Sequence, residues 1–345
     1  MNVGAWFRVG RTVMKNNITK IIYITLLVLT ILVSSARSDE AIEVSGGGFI
    51  KWVDFSATAE VMKAALKCDI ATYENAKAGK GSHADMVTLI AIAASRSGGE
   101  ISKCRASDIE AYAKRLSAGE RPEDISTSEN LSYYLKAYEA ALGGFVGEYA
   151  VENGGMLEKR YGLKVFSPFA AGYYYSDFDD FGAARSYGYR RPHLGHDMMG
   201  SVGTPIVAVE SGWVEACGWN QYGGWRIGIR SFDGKRYYYY AHLRKGHPFA
   251  DIYKGKQVTA GEVIGYLGMT GYSAKEDTNN IDTPHLHFGV QLIFDESQKD
   301  GWNQIWIDLY EYTKFLSAYR SEVVYDKESR EFIAKAPIVD LEAPD

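Results

Sequence analysis

Along residues 50 to about 142, apolar positions recur every three or four residues. KWVDFSATAEVMKAALKCDIATYENA puts Val53, Ala57, Val61, Ala64, Ala65 and Cys68 on one stripe, the period of an amphipathic helix. ADMVTLIAIAASR (84–96) is apolar nearly all round, which predicts the buried helix of this half. ASDIEAYAKRLSAGE (106–120) offers Ser107 or Asp108 as a cap and Gly119 as a stop. ENLSYYLKAYEAALGG (129–144) is amphipathic and ends in glycines.

From about residue 160 the period changes from helical to two. TPIVAVESGWVEACGW (204–219), WRIGIRS (225–231), KRYYYYAHL (235–243) and EVIGYLGMTG (262–271) are short strands punctuated by glycine. This spacing predicts an antiparallel sheet or small barrel. NQIWIDLYEYTKFLSAYRSE (303–322) returns to helical spacing at Ile305, Leu309, Tyr312, Leu316 and Tyr319, a helix that closes on the sheet. The elements predict an α+β chain: a hydrophobic segment over 1–37, a linker over 38–49, a small helical domain over 50–150, a mainly antiparallel β-rich domain over 160–322 with a closing C-terminal helix, and a loose tail over 325–345.

Charge changes the reading at the N-terminus. Arg8, Arg11, Lys15 and Lys20 precede IIYITLLVLTILV (21–33), with no acid before residue 37. A basic start followed by a short apolar run marks an export signal. Thirteen such residues are short for a membrane span, which needs about 20. SSA at 34–36 suits cleavage, whereas the twenty-residue basic lead suits an uncleaved anchor. Both readings keep the cations inside and put the chain after Arg37 outside the membrane. The full chain carries a net charge of −5, which argues against nucleic acid as a partner, since phosphate contacts need a basic face. Aromatics at 13%, with 25 tyrosines and 7 tryptophans, suit strands or a groove lined with amphipathic rings. Cys68 and Cys104 fall in one helical region and either pair or stay free; Cys217 is left over.

Six of the seven histidines lie between 193 and 287. On a strand, residues two apart share a face, so His285 and His287 of TPHLHFGV point together while Leu286 and Phe288 pack on the other side. Two imidazoles on one buried face need partners, and a metal supplies them. His193 and Asp197, four apart in RRPHLGHD, add an N/O pair at the head of a strand. Two His and one Asp make the three-ligand set of a catalytic zinc with an open fourth position, where bound water has its pKa lowered to about 7. His242, after the tyrosine strand, and whichever of His285 and His287 is not a ligand are then available for proton transfer and oxyanion stabilisation. His196 beside Asp197 reads as an outer partner, and His247 before Pro248 as an exposed turn residue. His83 beside GKGS reads as a loop residue.

HLGHD, GTPIVAVESGWV, YYYYAHL, GKQVTAGEVIGYLGMTGYS and PHLHF, in that order, closely resemble the lysostaphin-type (LytM-like) zinc metallo-endopeptidases over about residues 160–295. The resemblance implies an antiparallel sheet with a groove, one zinc ion, and endopeptidase action on the stems or cross-bridges of bacterial peptidoglycan by attack of a zinc-bound water. It implies His193, Asp197 and His287 as zinc ligands, and His285 and His242 as catalytic. With the N-terminal segment it also implies an extracytoplasmic bacterial protein of the cell wall or the outer face of the cytoplasmic membrane, secreted or held by a single N-terminal span. Two rival readings remain. One is a catalytically silent regulator or adaptor of other wall hydrolases. The other is a wall-binding module whose zinc is closed by a fourth protein ligand, His196 or His285. The polar stretch AKEDTNNIDT (274–283) replaces a very short family link, and SDFDDFGAARSYGYRR (176–191) is an elaborate lead that forms a groove wall or lid. The helical half lies outside the resemblance and is expected to position the sheet or contact a protein partner.

Overall fold

A computed structural model describes residues 42–44, 48–153, 155–187, 189–298 and 303–344; the basic-apolar segment 1–37 lies outside them. Alternation along the strands builds a nine-stranded sheet. In chain order its strands are β1 (Ile42–Val44), β2 (Gly48–Val53), β7 (His196–Met199), β9 (Gly212–Asn220), β10 (Gly224–Ser231), β11 (Arg236–Ala241), β12 (Gln257–Val258), β14 (His285–Leu292) and β15 (Gln304–Ile307). In space the order is β1-β2-β15-β14-β11-β10-β9-β12, with β7 also paired to β14. Every pairing is antiparallel except that of β15 with β2.

The register sorts the side chains into two faces. Ile227, Tyr240 and Phe288 lie in one row, and Ile229, Tyr238 and Val290 in the next. All six are fully buried, each such large side chain stabilising the fold by about 1.5–3 kcal/mol. On the other face Arg230, Tyr237 and Gln291 form one row, and Gly228, Tyr239 and Gly289 another. The two glycines are needed there: a Cβ on Gly228 would lie 1.9 Å from the Tyr237 hydroxyl, and one on Gly289 2.6 Å from the Trp306 ring. The aromatic rings therefore lie flat over the backbone and floor a groove.

The helices are α1 (Ala59–Lys77), α2 (Met86–Arg96), α3 (Ala106–Ser117), α4 (Pro122–Ile125), α5 (Leu131–Leu142) and α6 (Tyr310–Leu316). As its composition predicts, α2 is the buried one, with Leu89, Ile90, Ala91, Ile92, Ala93 and Ala94 fully enclosed. Its first turn is capped by Asp85, which accepts from Thr88 N at 2.8 Å. Residues 40–345 form one compact unit. The helical half is fixed to the sheet by polar contacts. Glu311 of α6 accepts from Ala59 N at 2.7 Å. Arg236 of β11 donates to the carbonyl of Ala140, in the last turn of α5, at 2.9 Å.

Four expectations need correction. The helix expected from residue 50 starts at Ala59, after the Thr58 cap. Before it, residues 48–53 form β2, because GFIKWV has strand-forming residues and finds an open edge on β15. The linker over 38–49 thus contains β1 and the start of β2. The closing helix expected over 303–322 is instead β15 followed by the short α6. QIWI is β-branched and aromatic and pairs on both sides, and Asp308 then accepts from Tyr310 N at 2.9 Å to start the helix. The buried stripe survives at Leu309, Tyr312 and Leu316. The tail is ordered rather than loose: β16 (Val323–Asp326) and β17 (Glu331–Ala334) form a hairpin, and β18 (Ile338–Asp340) pairs with β3 (Val146–Asn153). Buried Lys164, just past β4 (Met156–Leu163), ties Asp340 down at 3.0 Å. The β3–β4 hairpin itself follows the last helix of the helical half and was not legible as strands. All three cysteines are free.

Candidate metal centre

Register brings the first two groups together. In the β14–β7 ladder His287 stands directly opposite Asp197, so their side chains leave the sheet on the same face. His193 lies three residues before β7. Its backbone is pinned on both sides: His193 N donates to Ala183 O at 2.9 Å, and Gly182 N donates to His193 O at 2.8 Å. Gly195 between them leaves room for the His287 ring, which a Cβ would approach to 2.6 Å.

The result is a triangle. His193 Nε2 lies 3.0 Å from Asp197 Oδ1 and 3.0 Å from His287 Nδ1, and His287 Nδ1 lies 2.9 Å from Asp197 Oδ1. Ligand atoms of a tetrahedral zinc, bound at 2.0–2.1 Å, are about 3.3 Å apart, so the donor set and its spacing fit that ion. Three acceptor-capable atoms this close require a proton or a metal among them. Without a metal a proton takes the place. Burial works against a charged His193, but hydrogen bonds to Asp180 and Asp197 raise its pKa to about 9. Burial would likewise raise Asp197, yet hydrogen bonds from His193 and His287 hold it far below the carboxylate range. Burial lowers His287, against the pull of Asp197.

Two further imidazoles stand beside the triangle. The His285 ring centroid is 4.8 Å from that of His242, and the His287 centroid 5.9 Å from it. His285 Nε2 lies 3.7 Å from Asp197 Oδ1. Each ring donates its Nδ1–H to a backbone carbonyl at 2.8 Å: His242 to Thr270, His285 to Thr283. A carbonyl only accepts, so this fixes the tautomer and leaves Nε2 as the lone-pair atom of the neutral ring. Burial, then the neighbouring His285 and His287, push His242 well below the ordinary histidine pKa, so it is neutral at pH 7.

His242 reaches this face by breaking the alternation. Tyr237 and Tyr239 face the groove and Ala241 pairs with His287, so a regular strand would send residue 242 to the core side, as it does Tyr240. His242 has φ 61° instead. This left-handed conformation is uncommon for a non-glycine residue. It ends β11 and swings the ring back toward the other histidines.

The remaining histidines fall elsewhere. His196, opposite Phe288, is fully buried on the core side and bonds Asp177 at 2.8 Å. His247 pairs with Glu331 at 2.8 Å near the surface, and His83 with buried Asp69 at 2.7 Å in the helical half. None of these joins the triangle. The fourth-ligand reading through His196 is therefore ruled out by its position.

Sequence reasoning missed two residues of the 176–191 lead. Asp180 is buried, with Oδ2 3.1 Å from His193 Nδ1. Arg185, on β5 (Ala184–Tyr187), binds Asp180 and also donates to Asp197 Oδ2 at 3.1 Å. A carboxylate on the far nitrogen of a ligating histidine fixes its ring and tautomer. The polar stretch 274–283 folds back at the rim rather than trailing. Asp277, at φ 55°, accepts from Trp225 Nε1 and Gly246 N at 2.8 Å each, and Asn280 donates to Tyr272 O at 2.8 Å. Asn280, Ile281 and Thr283 line the groove, whose volume is about 1220 Å³ and which contains all five predicted site residues.

Residues 191–300 match the family described as peptidase family M23. The chain is 42% identical over 117 residues to an L-Ala–D-Glu endopeptidase of Bacillus subtilis strain 168, covering 34% of each protein. It is 39% identical over 97 residues to lysostaphin of Staphylococcus simulans, 28% of this chain and 17% of that protein. It thus spans about a third or less of the length of these curated relatives. A solved structure from Ruminococcus gnavus, named as a glycyl-glycine endopeptidase lytM, aligns with 79% of this chain and 100% of its own at 21% identity, with a TM-score of 0.47.

Proposed function

We propose that this chain, whose residues 191–300 form a domain of peptidase family M23, is a zinc-dependent endopeptidase that hydrolyses peptide bonds in bacterial peptidoglycan. The observation that carries the proposal is the triangle of His193, Asp197 and His287 with two further imidazoles held beside it. His193 through Nε2, Asp197 through Oδ1 and His287 through Nδ1 would hold the metal. When bound, zinc acidifies water and polarises a carbonyl at the open position.

The chain's own residues do the rest. His242 is neutral, with its Nδ1–H committed to Thr270, so Nε2 accepts a proton from the attacking water and later returns it to the leaving amine. His285, oriented by its Nδ1–H bond to Thr283, would stabilise charge that develops on the substrate oxygen as the imidazolium, donating through Nε2–H. Asp180 keeps His193 in the orientation that aims Nε2 into the site. Tyr239 and Trp306, packed edge to face, give the peptide an aromatic floor.

The role belongs outside the cytoplasm. The basic-apolar run of 1–37 supports export, as a removed signal or a retained anchor. The helical half would brace the sheet through Arg236 and Glu311, or present its outer surface to a protein partner. The test is zinc analysis together with mass spectrometry of muropeptides after digestion of purified peptidoglycan. One equivalent of zinc and new peptide ends are expected. Bound zinc with no new ends would instead favour a silent adaptor.

A further inference from the structure

Four arginines line the groove: Arg185, Arg191, Arg226 and Arg230. Two have carboxylate partners. Arg185 is paired with Asp180 and Asp197. Arg230 is bound by both oxygens of Glu215, at 3.0 and 2.7 Å, and stacks on Tyr237 at 4.9 Å.

The other two have none among the described residues. Arg226 makes no hydrogen bond or ion pair there, and its Nε is buried without a partner. Arg191 donates one bond, to the Tyr272 hydroxyl at 2.8 Å, and lies over the Tyr222 and Tyr272 rings; its Nε is likewise buried and unpartnered. Both guanidinium groups line the same groove as Tyr239. Burial raises the pKa of the Tyr239 hydroxyl, and both Arg226 and Arg191 pull it back down. The other acid on the groove wall, Asp282, is exposed at the rim.

Half-buried guanidinium groups without an anion carry a desolvation cost. Their planar fork is the shape that binds a carboxylate through two parallel hydrogen bonds. The register locates Arg226 relative to the metal centre. Ile227 pairs with Tyr240, and Ala241 with His287. Arg226, one residue before Ile227, therefore lies in the row that runs through Ala241 to His287. Two strand spacings separate them, about 10 Å, and an extended peptide advances about 3.3–3.6 Å per residue.

We propose that Arg226 and Arg191 form a subsite for a carboxylate of the substrate peptide, two or three residues from the bond that is cut. The subsite selects stems that carry a free carboxylate at that place over stems in which it is a carboxamide. The proposal rests on the peptidase reading for the position of the cut bond, but not for binding itself.

The experiment separates the two. The probes are muropeptides with free carboxylates and the same muropeptides converted to carboxamides. Their affinities are measured by calorimetry on the full zinc-loaded chain in a His242→Ala background, which suppresses turnover. The carboxylate forms are expected to bind at least tenfold more tightly. Adding Arg226→Gln should reduce that ratio to below twofold, and Arg226→Lys should keep part of it, with the melting temperature of each variant confirming that it folds. Equal affinity for the two forms, no measurable binding of either, or an Arg226→Gln protein that keeps the full ratio would overturn the subsite. A clear preference in this assay, with no new peptide ends released by the wild-type chain, would leave the subsite standing and sink the peptidase reading.

Discussion

Two polar clusters sit on opposite faces of the same sheet, and they differ in completeness. On the core side, Arg236 of β11 is fully buried. It binds both oxygens of Glu210 at 2.8 and 2.9 Å, Asp233 at 2.9 Å and the Ala140 carbonyl at 2.9 Å, while Tyr238 donates to Glu210 at 2.6 Å. On the groove side, His193, Asp197 and His287 point three acceptor-capable atoms at one another and supply only a proton between them. The first cluster contains its own cation and holds the helices on the sheet. The second is one cation short, and that shortage is what makes it a site. Burial of polar groups is common to both, so burial alone does not identify function; the balance of donors and acceptors does.

Removing a corner of the incomplete cluster should have the largest effect. His287→Ala is expected to abolish stoichiometric zinc binding and reduce peptidoglycan hydrolysis to background, read by metal analysis and muropeptide release. His242→Ala keeps the triangle and so should keep zinc while lowering kcat by about 10²–10⁴; full activity in that variant would show its role to be misassigned. In the complete cluster, Arg236→Ala strands Glu210 in the interior and should cost about 3–5 kcal/mol of stability, measured by urea unfolding of the zinc-loaded chain.

The smallest effect concerns the second carboxylate on His193. With its pKa at about 9 in the metal-free protein, His193 must lose a proton to bind zinc. Apparent affinity should therefore rise about tenfold per pH unit from 7 towards 9 and then level off. Asp180→Asn, compared above that pH where proton competition is gone, should weaken zinc binding about 10–100-fold. An unchanged affinity there would mean that Asp180 does not orient the ring.

Much of the site could be read from the chain because strand alternation is local. The pairing of His285 with His287, and their separation from Leu286 and Phe288, needs only a period of two. The tyrosine strand points to His242 as a groove residue, and it lines the groove, but by a left-handed turn that alternation does not foresee. Asp180 and Arg185 were passed over because they sit in an irregular lead with no period, and their contacts with His193 and Asp197 are made only by tertiary folding. The same division holds for the fold. The helices α2, α3 and α5 followed from their apolar stripes. β2, β15 and β18 escaped because short apolar runs fit either period, and the partner that decides between them lies far along the chain.

That distance has a consequence for how the chain comes together. β2 is closed by β15, some 250 residues later, and β3 by β18, almost 190 residues later. A chain made or threaded N-terminus first can pair β2 with β1 and β3 with β4 early, but must carry the other edge of each open until nearly all the rest has emerged. Contacts of such high order are slow to form and leave sheet edges open to other chains in the interval. The metal-centre strands β7, β11 and β14 are closer in sequence and can pair first, so the groove can take shape before the sheet's outer edge is sealed.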